Sequence, residues 1–272
     1  MPDLSYLPPL REIIERHQLR TRKALGQHFL CDLNLTRSIA EAAGDLSGCT
    51  VIEVGPGPGG LTRALVESNA LHVVAVEKDP RFIDALAGLV AVSEGRLDLI
   101  SGDALRTDFL KLAPAPRAVV ANLPYNVGTE LLIGWLRDID QYRSLTLMLQ
   151  AEVVDRLAAG PHNKIYGRLS VIVQFCCNVE RKLDVPASAF SPPPKVDSAV
   201  VRLTPRRNRP ADVSFAQIEK VTAAAFGQRR KMLRSSLKPL GGEELLKRAN
   251  IDPTLRAENL TLAEFETLAR LA

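Results

Sequence analysis

Metal and disulfide chemistry have little to work with in these 272 residues. The four cysteines, Cys31, Cys49, Cys176 and Cys177, include no C-x-x-C pair. Neither a zinc site nor a disulfide framework is expected from them. The four histidines, His17, His28, His72 and His162, are scattered without ligand spacing, so no metal site is expected. No apolar run approaches the roughly 20 residues that span a bilayer, which argues against a membrane partner. The opening stretch MPDLSYLPPLREIIERHQLR is mixed and charged, not a basic start followed by an apolar run. No secretory signal is expected there. Repeats and low-complexity tracts are absent as well. With 46% apolar residues the chain can still fill a real core. These features fit a soluble, reduced, cytoplasmic protein.

The net charge of +4 conceals a division. From Glu41 to Asp140 stand 14 acidic and 8 basic side chains, a net of −6. From Arg202 to Lys238 stand 10 basic side chains against Asp212 and Glu219 alone, a net of +8. The N-terminal stretch adds Arg11, Arg16, Arg20, Arg22 and Lys23. An acidic centre flanked by basic segments suits an enzyme that binds a polyanion. A solvated charged surface would give the same composition.

Short apolar runs alternate with segments of helical spacing. TVIEV (Thr50–Val54), HVVAVE (His72–Glu77), LDLISGD (Leu97–Asp103), AVVAN (Ala118–Asn122) and LTLMLQ (Leu145–Gln150) read as buried strands. GGLTRALVES, PRFIDALAGLVAV and TELLIGWLRDI read as the helices between them. Strands that are nearly continuous apolar runs belong in a parallel sheet covered on both faces. The expected fold is therefore a doubly wound α/β domain. LSVIVQFCC (Leu169–Cys177) and SAVVRLTP (Ser198–Pro205) are expected as further strands, paired as an antiparallel edge. The proline-broken, charged TPRRNRPADVS marks a boundary. It divides a first domain, residues 1–206, from a small helical domain, residues 207–272.

In such a sheet, ligands bind outside the C-terminal ends of the strands. VIEVGPGPGGLTRAL joins the first strand to its helix, and Gly55, Gly57 and Gly59 permit a tight turn and close approach. Gly55, Gly57 and Gly60 also spell G-x-G-x-x-G, which serves a dinucleotide as well as S-adenosylmethionine. Glu77 ends the second strand, where a carboxylate can accept from both hydroxyls of a ribose. Asp103 ends the third, where an acid can accept from the exocyclic amine of an adenine or simply cap a turn. Together the three strand ends make a nucleoside site.

The fourth strand ends in Asn122-Leu123-Pro124-Tyr125. An amide oxygen and a nearby backbone carbonyl can both accept from one NH2 group. Pro124 fixes φ and can set the direction of the Leu123 carbonyl. Tyr125 offers a face for stacking a base, worth ~1–3 kcal/mol. Such parts suit methyl transfer to the exocyclic amine of adenine, a poor nucleophile because its lone pair is delocalised into the ring. Two acceptors gripping its hydrogens favour a pyramidal nitrogen that attacks a sulfonium methyl in line, without a strong base. Hydride transfer has no use for this tetrad, so NAD loses ground to S-adenosylmethionine.

The chain resembles the rRNA adenine N6-dimethyltransferase family. The resemblance rests on ALGQHFLCD, EVGPGPGGLT, VEKD, GDAL, NLPYNVGTELL, HNKIYGRLSVIVQ, FSPPPKVDSAVV and FGQRRKMLRSSL, in this order and spacing. It is most similar to the branch that dimethylates two adjacent adenosines in the hairpin loop near the 3′ end of bacterial 16S rRNA. Membership would imply a Rossmann-like methyltransferase sheet with a small C-terminal helical domain. It would imply that His28 and Leu30 fold over the methionine end of the cofactor, and that Gly55 and Gly57 contact it through the backbone. Glu77 would hold the ribose and Asp103 the adenine ring. Asn122 would bridge cofactor and target, Tyr125 would stack on the target base, and Phe190 would present a second aromatic. Many relatives carry Asn where this chain has His28.

The implied substrate is 16S rRNA within an assembling small ribosomal subunit, acted on by a monomer. Arg22 and Lys23 near the N-terminus are candidates to grip its backbone. So are Arg229, Arg230, Lys231 and Arg234, which are expected together on one helix. Two other functions fit the same residues. One is the large-subunit, antibiotic-resistance branch that dimethylates 23S rRNA. The other is a non-catalytic RNA-binding or transcription factor on the same fold. An NAD-dependent oxidoreductase ranks after both.

Overall fold

The computed structural model describes residues 2–19, 28–228 and 230–272. Its strands in chain order are β1 (Phe29–Leu30), β2 (Thr50–Val54), β3 (His72–Glu77), β4 (Leu97–Ser101) and β5 (Arg117–Asn122). They continue with β6 (Tyr142–Gln150), β7 (Cys177–Val185), β8 (Phe190–Ser191) and β9 (Ser198–Pro205). The main sheet runs β4-β3-β2-β5-β6-β9-β7. Pairs among β2, β3, β4, β5 and β6 are parallel, and β9 joins β6 antiparallel. From β2 the chain winds outward through β3 and β4, then returns to β5 on the other side of β2. That reversal is the switch point at which doubly wound sheets hold ligands.

All five residues of β2 are buried, and β5 is buried up to Asn122. Both strands are Val/Ile/Ala-rich, as a sheet covered on both faces requires. Helices Gly60–Val66, Pro80–Val92 and Gly128–Arg137 form the connections. Asp79 caps the second of these by accepting from the Arg81 N–H at 3.2 Å, with Pro80 in the first turn. Ile39, Val51, Leu65, Val73, Leu86, Val120, Met148 and Val200 meet in one core cluster. Each such side chain contributes ~1.5–3 kcal/mol by leaving water.

Contacts divide the chain into two compact units. One holds Met1–Ala151 with Arg181–Leu203, the other Glu152–Glu180 with Thr204–Ala272. The sequence suggested one cut after residue 206; by contacts, the second unit also takes in Glu152–Glu180. Within that unit Phe226 stacks on Phe265 at 5.6 Å between ring centroids, and Tyr166 meets Phe226 edge-on at 6.1 Å. Capping boxes at Ser214/Gln217 and Thr261/Glu264 start its helices Phe215–Gly227 and Leu262–Leu271. No helix among the described residues is long and apolar enough to cross a membrane.

Two expected elements differ. LSVIVQFCC is not a strand: Arg168–Cys176 is a helix, and the strand is the following CNVERKLDV. Val171, Ile172, Val173, Phe175 and Cys176 are all buried in that helix. An apolar run buried all round has no period by which to tell it from a strand. The strand after it is mostly exposed and polar, so it shows little apolar signal. The basic cluster also does not share one helix. Helix Phe215–Gly227 stops at its glycine, and Arg230 and Lys231 lie in the turn beyond. Arg234 sits on a separate short helix, Leu233–Ser236, entered through an extended Met232. Glycine weakens helix continuation there.

Candidate functional site

Backbone geometry at the end of β2 opens the site. Gly55, Gly57 and Gly59 all take positive φ, at +68°, +55° and +92°, a region that side chains with a Cβ avoid. A Cβ on Gly55 or Gly57 would meet nothing within 4 Å, so the loop leaves clear space above its backbone. Gly60 is required for a different reason: a Cβ there would come within 2.7 Å of the Leu30 carbonyl oxygen. The loop borders one cavity, wholly within the first unit, at the C-terminal ends of β2, β3, β4 and β5.

Every cofactor and catalytic candidate from the sequence lines this cavity: His28, Leu30, Gly55, Gly57, Glu77, Asp103, Asn122, Leu123, Pro124, Tyr125 and Phe190. Glu77 is buried, and its carboxylate is held by backbone. It accepts from Gly57 N–H at 3.2 Å and from Lys78 and Asp79 N–H at 2.8 Å each. Burial nonetheless raises its pKa, with the three N–H donors offsetting part of the rise. Asp103 does cap a turn, accepting from Leu105 N–H at 3.1 Å. Its other oxygen receives Lys78 Nζ at 2.7 Å. That ammonium, followed by the Leu105 N–H, lowers its pKa.

At the end of β5, the Leu123 N–H donates to the Met148 carbonyl at 3.3 Å, carrying the ladder one residue past Asn122. The Pro124 carbonyl accepts from Val127 and Gly128 N–H at 3.1 and 3.0 Å, which starts the next helix. The tetrad is thus clamped between a strand and a helix. Tyr125 is half-buried, and its hydroxyl lies 2.7 Å from Ser198 Oγ. Burial pushes its pKa up. The His28 ring stacks near Tyr125, centroids 6.0 Å apart at 30°, and meets Phe190 edge-on at 6.4 Å. β1 and β8 pair antiparallel, Leu30 opposite Phe190, and this pairing brings His28 and Phe190 together.

Three lining residues, and a fourth residue that supports one of the lining side chains, went unnoticed in the sequence. Glu53, in the middle of the apolar TVIEV, is 1% exposed, and its Oε2 meets no hydrogen-bond partner among the described residues. Burial pushes its pKa up to about 8; the Thr62 hydroxyl offsets part of this, and the Glu77 charge adds to it. One acid inside a buried strand was the available signal. Lys78 and Leu105 flank Asp103, and Leu105 is 42% exposed despite being apolar. Ser198, which does not line the cavity, anchors Tyr125 from β9. Sequence periodicity carries no signal for a contact 73 residues away.

Electrostatics narrow the ligand class. Glu77, Asp79 and Asp103 line the cavity against one cationic lining side chain, Lys78, while burial keeps the fourth acid, Glu53, protonated at neutral pH. The pyrophosphate of a dinucleotide would be repelled, whereas a sulfonium cation would be favoured. Open space over Gly55 and Gly57, with the buried Glu77 and the partly exposed Asp103 and Asn122 as acceptors at the strand ends, fits S-adenosylmethionine.

The RNA-binding candidates divide. Arg22, Lys23 and Arg229 lie outside the described residues. Arg230, Lys231 and Arg234 are exposed on the second unit, whereas the cavity lies in the first.

A family model described as Ribosomal RNA adenine dimethylase matches residues 18–272. Ribosomal RNA small subunit methyltransferase A of Paramagnetospirillum magneticum is 56% identical over 268 residues, 98% of this chain and 95% of that one. Among solved structures, a dimethyladenosine transferase from Plasmodium falciparum matches with a TM-score of 0.77 at 26% identity. That match covers 89% of this chain and 96% of the other. The 23S rRNA methyltransferase ErmE matches with a TM-score of 0.66 at 25% identity, covering 89% and 98%.

Proposed function

This chain belongs to the ribosomal RNA adenine dimethylase family, and from that premise we propose that it dimethylates small-subunit rRNA. It moves methyl groups from S-adenosylmethionine to N6 of two adjacent adenosines in the 3′-terminal hairpin loop of 16S rRNA. The observation that carries this is the convergence, in one acid-lined cavity, of a glycine cradle, Glu77, Asp103 and the Asn122–Tyr125 tetrad.

When bound, S-adenosylmethionine supplies an electrophilic methyl group on a sulfonium. Glu77 holds the ribose and Asp103 the adenine ring of that donor. Gly55 and Gly57 let their backbone approach it, and Leu30, beside His28, closes over its methionine end. Asn122 and the Leu123 carbonyl accept the two hydrogens of the target amine. Pro124 keeps that carbonyl aimed, and the target nitrogen's lone pair is freed for in-line attack. Tyr125 and Phe190 hold the flipped base, which must leave its stack to be reached. Preorganised acceptors stabilise the positive charge that develops on nitrogen, so no strong base is needed. Arg230, Lys231 and Arg234 on the second unit, with Arg22, Lys23 and Arg229, contact RNA phosphates, which makes binding weaken with salt. The protein works as a cytoplasmic monomer on an assembling small subunit.

Labelled donor with undermethylated small-subunit particles should give label at two adjacent adenosines. Transfer confined to large-subunit particles would favour the 23S branch instead, and absence of transfer to either would leave an RNA-binding factor.

A further inference from the structure

Tyr125 and Phe190 can orient a base only if their rings keep a fixed place relative to each other. Tyr125 follows β5, whereas Phe190 opens β8, far along the chain. Two consecutive residues that do not line the cavity tie both rings down. Ser198 opens β9 and is 1% exposed. Its Oγ lies 2.7 Å from the Tyr125 hydroxyl. Asp197, just before it, accepts through Oδ1 from the Ala187 N–H at 2.8 Å. Ala187 starts the short turn Ala187–Ala189 that leads directly into Phe190. The Asp197 carbonyl accepts from the Ala151 N–H at 2.9 Å, which fixes the pair to the residue after β6.

Strand register explains why Ser198 reaches Tyr125. Asn122 stands opposite Met148 on β6, and Met148 opposite Val200 on β9. Ser198 lies two residues before Val200, opposite Gln150. Side chains two apart share a face of the sheet. Ser198 is therefore on the face of Asn122, one step nearer the edge that carries the cavity. We infer that Asp197 and Ser198 are positioning residues that register Tyr125 against Phe190, and so set the wall on which the target base is oriented. This rests on the proposed function, which assigns those two rings to the base. Ser198 holds the far end of the phenol, and Asp197 holds the turn that presents Phe190. A base misplaced by ~1 Å can lose on the order of 10²-fold in rate, so a loosened ring is felt in the chemistry.

The contact can be removed from either end in the full-length protein. Ser198→Ala and Tyr125→Phe each delete one hydroxyl, the latter keeping a stacking face, and the double variant deletes both. Undermethylated small-subunit particles are the substrate, and donor binding is measured by calorimetry without particles. Each single change should lower the single-turnover rate at saturating particles about three- to tenfold, the scale of one hydrogen bond. The double variant should be no slower than the slower single, because both lose the same contact. The donor dissociation constant should stay within about twofold. Asp197→Ala should slow transfer about threefold, and Asp197→Asn, which keeps an acceptor oxygen, should recover most of that. Three results would overturn the inference. One is transfer at the wild-type rate by Ser198→Ala or Asp197→Ala. Another is single losses that multiply in the double variant, which makes them separate effects. The third is a donor constant that weakens in step with the rate, which makes the pair a general support of the fold. If Ser198→Ala does not fold, Tyr125→Phe reads the same contact, and an unchanged rate there overturns the inference. Wild-type protein that transfers no methyl to particles would sink the proposed function and this inference with it.

Discussion

Glu53 makes the sharpest thermodynamic prediction. Its carboxyl is buried with one oxygen unpartnered, and its pKa rises from the ordinary 4.5 to about 8. Between those values the folded chain keeps a proton that the unfolded chain releases. Stability is therefore full below pH 4.5, falls as pH rises, and levels off above pH 8. One pKa unit corresponds to about 1.36 kcal/mol, so the cost is ~1 kcal/mol at pH 5, ~3 at pH 7 and ~4 at pH 8. Glu53→Gln is nearly the same shape and neutral throughout. Its buried amide can lose ~1–3 kcal/mol if its own donors stay unpaired, but that loss does not vary with pH. The difference in unfolding free energy, variant minus wild type, should thus climb by about 2–3 kcal/mol from pH 5 to pH 7. Urea unfolding followed by tryptophan fluorescence measures this cleanly. The chain has one tryptophan, Trp135, in the same unit as Glu53. Parallel stability curves for variant and wild type would show that Glu53 is not the protonated group. A linked effect touches function: a cationic donor favours the ionised carboxylate, so donor binding in the wild type should release protons near pH 7 and tighten toward pH 8. In Glu53→Gln both effects should vanish.

Asn122→Ala should leave donor binding within about tenfold while methyl transfer falls on the order of 10²–10³, the usual cost of one transition-state hydrogen-bonding group; near-normal single-turnover transfer would remove Asn122 from the chemistry. Glu77→Ala should weaken donor binding first, and an unchanged dissociation constant by calorimetry would refute its ribose role. Gly60→Ala forces a methyl against the Leu30 carbonyl at 2.7 Å. It should destabilise the first unit by ~1–3 kcal/mol; an unshifted urea midpoint would mean that β1 gives way at no cost.

Legibility followed burial. β2, β3, β5 and β6 stood out because strands covered on both faces are nearly continuous apolar runs. The four strand-end assignments then followed, since a parallel sheet puts Gly55, Glu77, Asp103 and Asn122 at one edge. The same apolar continuity misled at Arg168–Cys176, where the burial is that of a helix. β7 was hidden by its charges, and β1 with β8 by their length of two residues each. Those two short strands matter most to the site, because their pairing sets Leu30 opposite Phe190. No local pattern announces a pairing between segments so far apart in the chain. Ser198 escaped for the same reason: its value lies in the hydroxyl it meets, not in its own neighbours.

Charge separates the two ligands this chemistry needs. The donor is a cation and the acceptor a polyanion, and one surface cannot attract both. The cavity carries three carboxylates, the protonated Glu53 and one lysine, while Arg230, Lys231 and Arg234 stand exposed on the other unit. An acidic cavity would repel the phosphates of its own target strand. Only a base, uncharged and planar, can enter without that cost. On the proposed reading, flipping is an electrostatic filter as well as a matter of reach: like charge would keep the backbone outside, while a planar base could pass to Tyr125 and Phe190. Raising the salt should accordingly weaken RNA binding through the basic segments while leaving the buried donor site far less affected, because screening acts on exposed charges more than on buried ones.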